Sequence, residues 1–430
     1  MPSSSFLRFA IPALPLAFAA VTSDAHACGG CVVPPDESTV VTGHRMIFSV
    51  GKTQTTLYDQ IEYAGDPESF AWFLPIQGQV EIGLSSDALF AFLGDATQVV
   101  VRPPYLECLA SDVVASAEGS DRSSDPGVYV PPEEEVNVIA EEVVGPYETV
   151  QLEATSPGAL VEWLESHGYA VPADVEPVIA GYQKEGFGFL AMKLVPGEGV
   201  HSMRPVRITT QGAGLSLPLR MVAAGTGAVT PVTLYVLSEG RYEAAARPNV
   251  LVNQDDLVWS WDEGISNYRS LRDTLLDGTD GFGLLTEAAA PYSGESLRDR
   301  VTAIIENSPD TTGWGDPANG VSELDDATAD LDALFTGLDD QSLWLTRMYA
   351  RFSRPALAED LALTASPSQE QVNRYLQAKT GVGTLPCQSE TPGCSVPSNR
   401  PSAPDRTLLL GAAATALAAA LRRRRHRRAS

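Results

Sequence analysis

An apolar segment lies at each end of this 430-residue chain, and together the two segments limit the part that can fold as one compact body. At the N-terminal end, Arg8 precedes the apolar stretch Phe9–Val21, and Ala25-His26-Ala27 follows. A basic residue, an apolar run and small side chains at the cleavage positions are typical of a secretory signal. We therefore expect residues 1–27 to be a signal peptide that is cleaved between Ala27 and Cys28.

The C-terminal end has three successive parts. Residues 386–406 are rich in Pro and Ser and predict an extended linker. Thr407–Leu421 is an apolar run of 15 residues, which is short for a spanning helix of about 20. The arginines of Arg422–Arg425 can snorkel to the interface, and basic residues favour the cytoplasmic side. We expect 407–421 to be a transmembrane helix, 422–430 to be a cytoplasmic tail and the body to lie outside the membrane.

This tail resembles the myxobacterial C-terminal sorting signal, which combines a Gly-Cys pair, a short hydrophobic helix and a terminal arginine cluster. The matching residues are Gly393-Cys394-Ser395, then Thr407–Leu421, then Arg422–Arg425. The resemblance implies that a membrane-embedded sorting protease processes the chain near Cys394, the candidate sorting or lipid-attachment residue. It also implies transfer of the protein to the cell surface.

The charge of the body excludes one class of partner. Between residues 28 and 421 there are 22 basic and 54 acidic residues, a net charge of −32. Nucleic acid needs a basic footprint, so we expect no nucleic-acid partner. Calcium bound by acidic loops is an alternative to simple solvation, although Asp277–Gly281 and Asp310–Asp326 do not have the spacing of an EF-hand. We otherwise expect no cofactor.

Four cysteines remain as disulfide candidates once Cys394 is assigned to sorting: Cys28, Cys31, Cys108 and Cys387. Four cysteines allow three connectivities, and the sequence does not select one. Cys28-Gly29-Gly30-Cys31 also has the CxxC spacing of metal sites and thiol oxidoreductases, but prolines follow where a redox motif needs a helix. Lipid attachment at Cys28 is a further alternative, although Ala25 stands where a lipobox favours a leucine-like side chain.

Apolar patterns predict strands and helices without strict βαβ alternation. Gly51-Lys52 predicts a hairpin with a type II′ turn, which favours glycine at its first central position. Alternation over Leu215–Met221 predicts a half-buried strand. Other strands are expected at Phe70–Leu74 (stopped by Pro75), Val99–Val101, Phe187–Leu194 and Val232–Val236. Helices are expected at Ser85–Gly94, Pro157–His167, Val178–Gly186, Tyr268–Leu276, Leu324–Leu338 and Leu343–Phe352.

These elements predict an α+β fold with a mostly antiparallel sheet or sheets packed against helices. The N-terminal half is expected to be strand-rich and the C-terminal half more helical. We expect one extracytoplasmic domain over residues 28–385, with a polar, flexible excursion at about 111–132.

The body resembles an uncharacterised bacterial family, domain of unknown function 2330. The residues that carry the resemblance are Cys28–Cys31, Pro34-Pro35, Val41–Met46, Thr56–Ile61, Phe70–Pro75, Gly83–Asp87 and Leu345–Tyr349. The resemblance implies a secreted or surface-exposed protein with a cysteine-rich start, and it implies no activity, substrate or catalytic residue.

Catalytic motifs are absent from the sequence: it contains no P-loop, no dinucleotide-binding GxGxxG, no HExxH and no GxSxG. The mature body has three histidines, His44, His167 and His201, of which His44 lies in the most specific block of the resemblance. A nucleophile pair of Cys31 and His44 would need a free thiolate. Our leading hypothesis is an envelope-anchored surface protein with a non-enzymatic binding, adhesion or structural role. The alternative is an envelope enzyme, either a hydrolase or a thiol oxidoreductase that uses Cys28 and Cys31.

Overall fold

The computed structural model of the chain describes residues 31–32, 40–64, 71–105, 136–154, 156–169, 171, 175–195, 203–212, 215–223, 229–309, 311–317, 319–339, 341 and 343–385. The chain divides into two units, Met1–Gly383 and Thr384–Ser430, and nearly all of these residues lie in the first. The signal peptide, the excursion at 111–132, the linker, the apolar run at 407–421, His201 and the cysteines other than Cys31 lie outside the described residues. Within the described residues, no helix is long and apolar enough to cross a membrane.

The expected fold class is confirmed: the first unit is α+β and mostly antiparallel. Its N-terminal strands are β1 Cys31–Val32, β2 Val40–Val50, β3 Gln54–Ala64, β4 Ala71–Ile76, β5 Glu81–Leu84, β6 Val100–Arg102, β7 Val136–Val144, β8 Tyr147–Ala154, β9 Gly188–Leu194, β10 Val206–Gln211 and β11 Ser216–Leu217. Its later strands are β12 Val229–Ser238, β13 Tyr242–Ala244, β14 Asn249–Val250, β15 Val258–Ser260, β16 Ile265–Ser266, β17 Leu284–Pro291, β18 Trp344–Ser353, β19 Leu361–Ala365, β20 Tyr375–Gln377 and β21 Thr380–Val382.

The α-helices are α1 Asp87–Thr97, α2 Pro157–Ser166, α3 Glu176–Lys184, α4 Leu219–Ala223, α5 Tyr268–Asp277, α6 Gly294–Asn307 and α7 Glu323–Phe335. Capping follows the expected chemistry at α2, where the Ser156 hydroxyl accepts from the Ala159 amide. Gly168 has the positive φ of 81° that closes this helix. The predictions for α2, α3, α5 and α7 are confirmed in type and approximate position.

The largest sheet has eight strands in the order β14-β17-β18-β12-β2-β3-β10-β5. Its pairs are antiparallel except β12 with β2 and β14 with β17. A second sheet has the order β1-β4-β9-β8-β7 and is antiparallel throughout its described pairs. Three small sheets, β11-β19-β13, β16-β15-β21 and β20-β6, lie outside these two.

The two large sheets pack face to face, and helices cover their outer faces. Met46 and Phe48 from β2 share one apolar cluster with Trp72 and Leu74 from β4. Ile47, one residue along β2, belongs instead to a cluster with α1, α6 and α7. On the other side, the second sheet packs against α2 and α3. Because successive strand residues point to opposite faces, these clusters define four layers: helices, sheet, sheet, helices.

Two element predictions were wrong. Leu343–Phe352 is the strand β18 rather than a helix; its buried residues alternate with half-buried ones, so a strand fits the pattern as well as a helix does. Leu215–Met221 is strand only at Ser216–Leu217, and α4 then begins at Leu219. Pro218 precedes this helix and its carbonyl accepts from the Met221 amide, because proline suits a first turn better than a strand interior.

Two turn predictions also need correction. The hairpin between β2 and β3 exists, but its loop covers residues 51–53 and Gly51 is not among the glycines with positive φ. Glycine is needed there for space, since a Cβ would lie 3.0 Å from the Thr336 carbonyl oxygen. Pro75 lies inside β4 rather than stopping it. It is in register with Phe189 of β9 and lies beyond the two residues of β4 that pair with β1.

Candidate functional site

His44, the histidine singled out in the sequence, is sealed inside the molecule. Its Nδ1 lies 3.0 Å from Oδ1 of Asp59 on the neighbouring strand, and the two side chains are 1% and 4% exposed. Both point into the layer between the two large sheets, beside Met46 and Val232. The pair ties β2 to β3, and its imidazole is out of reach of a substrate in this conformation.

The other predicted site residues are not brought to one place. Cys31 lies opposite Trp72 in the backbone register of β1 and β4, and Cys28, Cys108, Cys387, Cys394 and the cleavage residue Ala27 fall outside the described residues. The disulfide candidates therefore stay predictions. His167 caps the end of α2, where its ring stacks on Trp163 at 3.8 Å between centroids. Packing at a helix C-terminus accounts for this histidine without a catalytic role.

On the opposite face of the same strands, polar side chains form a continuous row. Arg45 lies opposite Gln60 on β3 and opposite Thr233 on β12, and Thr233 lies opposite Tyr349 on β18. Directly paired residues share a face, so these four side chains stand side by side across four strands, which is about 14 Å at the usual strand spacing. Gln60 is buried and the other three are half-buried. We call Gln60, Arg45, Thr233 and Tyr349 the polar row.

Two helices border the polar row. On one side the Gln60 amide donates to Asp87 in the first turn of α1, and the Arg347 guanidinium donates to the Gly94 carbonyl oxygen near its end at 3.4 Å. On the other side α5 places the Arg272 guanidinium over the Tyr349 ring, 3.9 Å from its centroid. Among the described residues, the row is thus a half-buried strip of sheet between α1 and α5.

Glu287 anchors the α5 border. It is the extra residue of a β-bulge in β17, between Thr286 and Ala288, which turns its side chain onto the helix-covered face. The carboxylate is 3% exposed, accepts from Arg347 Nε at 2.6 Å and from the Tyr268 hydroxyl at 2.8 Å. Arg272 Nη1 lies 3.8 Å away. The bulge therefore places one buried acceptor under two guanidinium groups.

The protonation states of this border are fixed by its surroundings. Burial and the Glu287 charge raise the pKa of Tyr268 well above its ordinary value, and burial raises the pKa of Tyr349. Burial alone lowers the pKa of Arg272, but Tyr349, Asp273 and Glu287 outweigh it and raise the pKa. Both phenols thus stay protonated donors and the guanidinium stays charged.

Charges around the polar row balance. The arginines are Arg45, Arg272, Arg347 and Arg351, and the carboxylates are Asp87, Asp273, Asp277 and Glu287. Asp277, from the loop considered for calcium, lies 3.0 Å from Arg351 Nη1. Across the described ranges, no three His, Cys, Asp or Glu side chains form a group suited to a metal ion. The formal charges of these eight described side chains cancel, and the strip offers both donors and acceptors.

A second buried polar cluster closes the outer face farther along the sheet. Asp330 of α7 is fully buried and accepts from Ser85 Oγ at 2.6 Å, from Trp314 Nε1 at 3.0 Å and from Arg207 Nη1 at 3.2 Å. Burial raises the pKa of this carboxyl, and Arg207 opposes the shift. The Tyr58 hydroxyl donates to the Asp330 carbonyl oxygen at 3.1 Å. This cluster joins α7 to the sheet and is not open to a ligand.

Sequence reasoning missed both the polar row and the Asp330 cluster. Arg45, Gln60 and Tyr349 all lie in blocks that carry the family resemblance, and their place in these blocks was the available signal. The wrong helix prediction for Leu343–Phe352 prevented recognition of the polar row, because a helix would not place Tyr349 in register with Thr233.

Comparison with known proteins gives one match. A family model described as "Uncharacterized protein conserved in bacteria (DUF2330)" matches residues 22–364. The matched range includes every strand of the eight-stranded sheet and the whole polar row. No curated protein and no solved structure matches the chain.

Proposed function

The chain belongs to the DUF2330 family of uncharacterised bacterial proteins, and from this premise we propose that it is an exported, surface-anchored protein that binds a ligand rather than catalysing a reaction. The observation that carries the proposal is that the buried ionisable groups of the described residues are already engaged in hydrogen bonds and ion pairs. His44 is sealed in an apolar layer, and Glu287 and Asp330 are held by arginines, hydroxyls and an indole. Groups held in this way fix the positions of neighbouring strands and helices, but they are poorly placed to act as nucleophiles or general bases.

The ends of the chain support the location. Residues 1–27 have the order of a secretory signal, and the sequence from Cys394 to Arg425 has the parts of a sorting tail. A body with net charge −32 stays soluble and separate from anionic lipid, which suits a domain displayed beyond a membrane. The membrane and a sorting protease are accordingly the partners proposed for the tail.

Intact-mass measurement tests the location most directly. Protein released from the surface of intact cells by mild detergent extraction, without protease, should begin at Cys28 and end near Cys394. An Ala27→Glu variant, which places a large charged side chain at the cleavage site, should retain residues 1–27. Cys394→Ser should block the C-terminal processing alone. A full-length mass in the cytoplasmic fraction, protected from protease added to intact cells, would overturn the proposal.

A further inference from the structure

The polar row carries two hydroxyl groups that no described residue of the protein uses as a hydrogen-bond partner. Within the described part of the chain, neither the Thr233 hydroxyl nor the Tyr349 hydroxyl makes a hydrogen bond, although both side chains are only half-buried. Each hydroxyl can donate one hydrogen bond and accept others. They stand next to each other on β12 and β18, so a ligand that crosses these strands meets both.

Gln60 adds an acceptor at the end of the row. Its side chain is 6% exposed, its Nε2 donates to Asp87, and its Oε1 is buried without a hydrogen-bond partner among the described residues. A buried acceptor left unpaired costs about 1–3 kcal/mol, so a partner that donates to it is favoured. Asp87, which accepts from the same amide group, is exposed at the edge of the row.

The balance of charge selects the class of ligand. Three of the arginines around the row, Arg272, Arg347 and Arg351, already lie beside carboxylates. An oxyanion would have to compete with Asp273, Asp277 and Glu287 for these guanidinium groups. An apolar peptide would bury these polar groups without hydrogen-bond partners, which costs free energy. A ligand dense in hydroxyls can donate to Gln60 while it accepts from Thr233 and Tyr349.

We propose that the polar row binds a neutral, hydroxyl-rich carbohydrate chain, which lies across β3, β2, β12 and β18 between α1 and α5. This inference rests on the proposed function, because it places the row outside the cell where such chains occur. The length of the row, about 14 Å at the usual strand spacing, exceeds a single sugar ring and fits a polymer segment.

Affinity electrophoresis of the mature protein tests the proposal. The purified protein is run in native gels that contain dextran, laminarin, mannan or hydroxyethylcellulose, with polygalacturonate as the acidic comparison. We expect at least one neutral polymer to retard the protein, and Thr233→Glu to raise its half-retarding concentration at least tenfold, because a larger carboxylate opposite Arg45 then fills the centre of the row and replaces the Thr233 hydroxyl. Tyr349→Phe keeps the ring under Arg272 and removes only the hydroxyl, and should weaken retardation about threefold to tenfold.

The control is Thr380→Glu, which makes the same change on an exposed strand position of the small β16-β15-β21 sheet. It should bind as the wild type does, and equal unfolding midpoints of the three variants exclude misfolding. Equal loss in Thr233→Glu and Thr380→Glu would overturn the inference, as would retardation by polygalacturonate alone or by no polymer. Such results on a protein correctly found at the cell surface would leave the proposed location intact, so the two proposals fail separately.

Discussion

Strands β2 and β3 carry two sets of polar side chains on opposite faces, and the two sets differ in what covers them. His44 and Asp59 point inward, where a second sheet covers them, and form one sealed hydrogen bond. Arg45 and Gln60, their immediate sequence neighbours, point outward into a gap between two helices. Residue type alone does not decide which set is structural. The layer that covers each face decides it.

The outer face repeats the contrast within itself. Where α7 covers the sheet, Asp330 is enclosed by Ser85, Trp314 and Arg207. Between α1 and α5, where the described residues include no covering helix, Thr233 and Tyr349 are half-buried. If this comparison is right, substitutions at covered positions should lower stability, and substitutions in the polar row should lower binding.

Loss of the Asp330 carboxylate should have the largest effect. Asp330→Ala leaves the Arg207 guanidinium, the Trp314 N–H and the Ser85 hydroxyl without their acceptor in a buried place. Removing one partner of a buried ion pair costs about 3–5 kcal/mol, so the free energy of unfolding in urea should fall by that amount.

Asp332→Ala is the matched control on the same helix. Asp332 is 53% exposed and pairs with Arg298 at 2.5 Å, and an exposed pair contributes about 0–1 kcal/mol. Equal losses from the Asp330 and Asp332 variants would show that cover by α7 does not distinguish the two carboxylates.

The roles of the two faces of β2 and β3 in stability and in binding can be tested separately. Asp59→Ala removes the acceptor of a buried imidazole N–H, which costs about 1–3 kcal/mol of unfolding free energy, and it should leave carbohydrate retardation unchanged. Arg45→Ala, on the other face, should lower stability less and weaken retardation. Urea unfolding measures the stability of both variants, and affinity electrophoresis measures their binding to the polymer. A variant pair that loses both properties together would break the comparison.

The pH dependence of Asp330 gives a smaller and more specific signal. Burial raises the pKa of this carboxyl above its ordinary value, so the folded state holds the proton more tightly than the unfolded state does. The stabilising contribution is therefore complete below the ordinary aspartate pKa of about 3.9 and is lost as the pH rises through the folded value. Asp330→Asn cannot titrate and serves as the reference chain.

We expect the unfolding free energy of the wild type minus that of Asp330→Asn to decrease as the pH is raised from about 4 to 7, measured in urea at each pH. The difference between the two chains removes the titration of the many other carboxylates. An increase over the same range would mean that attraction to Arg207 outweighs burial at this site.

Sequence patterns predicted the α+β class, the capped helix α2 and the amphipathic stripe of α7, because these depend on neighbours within one or two turns. They did not predict β18, since Leu343–Phe352 satisfies both a helical and a strand pattern until its partners β12 and β17 are known. The polar row depends on register between Arg45, Thr233 and Tyr349, which only strand pairing can set. The Asp330 cluster is likewise a product of layer packing.

The smallest expected effect concerns the border of the polar row. Tyr268→Phe removes the hydroxyl that donates to Glu287 at 2.8 Å, while the ring keeps its place against Leu257, Leu376 and Ala378. Burial and Glu287 raise the pKa of this phenol, so the hydrogen bond persists through neutral pH and its loss should cost about 0.5–1.5 kcal/mol.

Tyr375→Phe is the control for this change, because that tyrosine is 42% exposed and its hydroxyl accepts only from Arg374 among the described residues. Its unfolding free energy should fall by less than that of Tyr268→Phe. Carbohydrate retardation should stay at the wild-type level in both, since Arg347 still holds Glu287 at the border. If Tyr268→Phe lowers the unfolding free energy more than Asp59→Ala does, the contact between α5 and the sheet stabilises the fold more than the buried His44–Asp59 pair does.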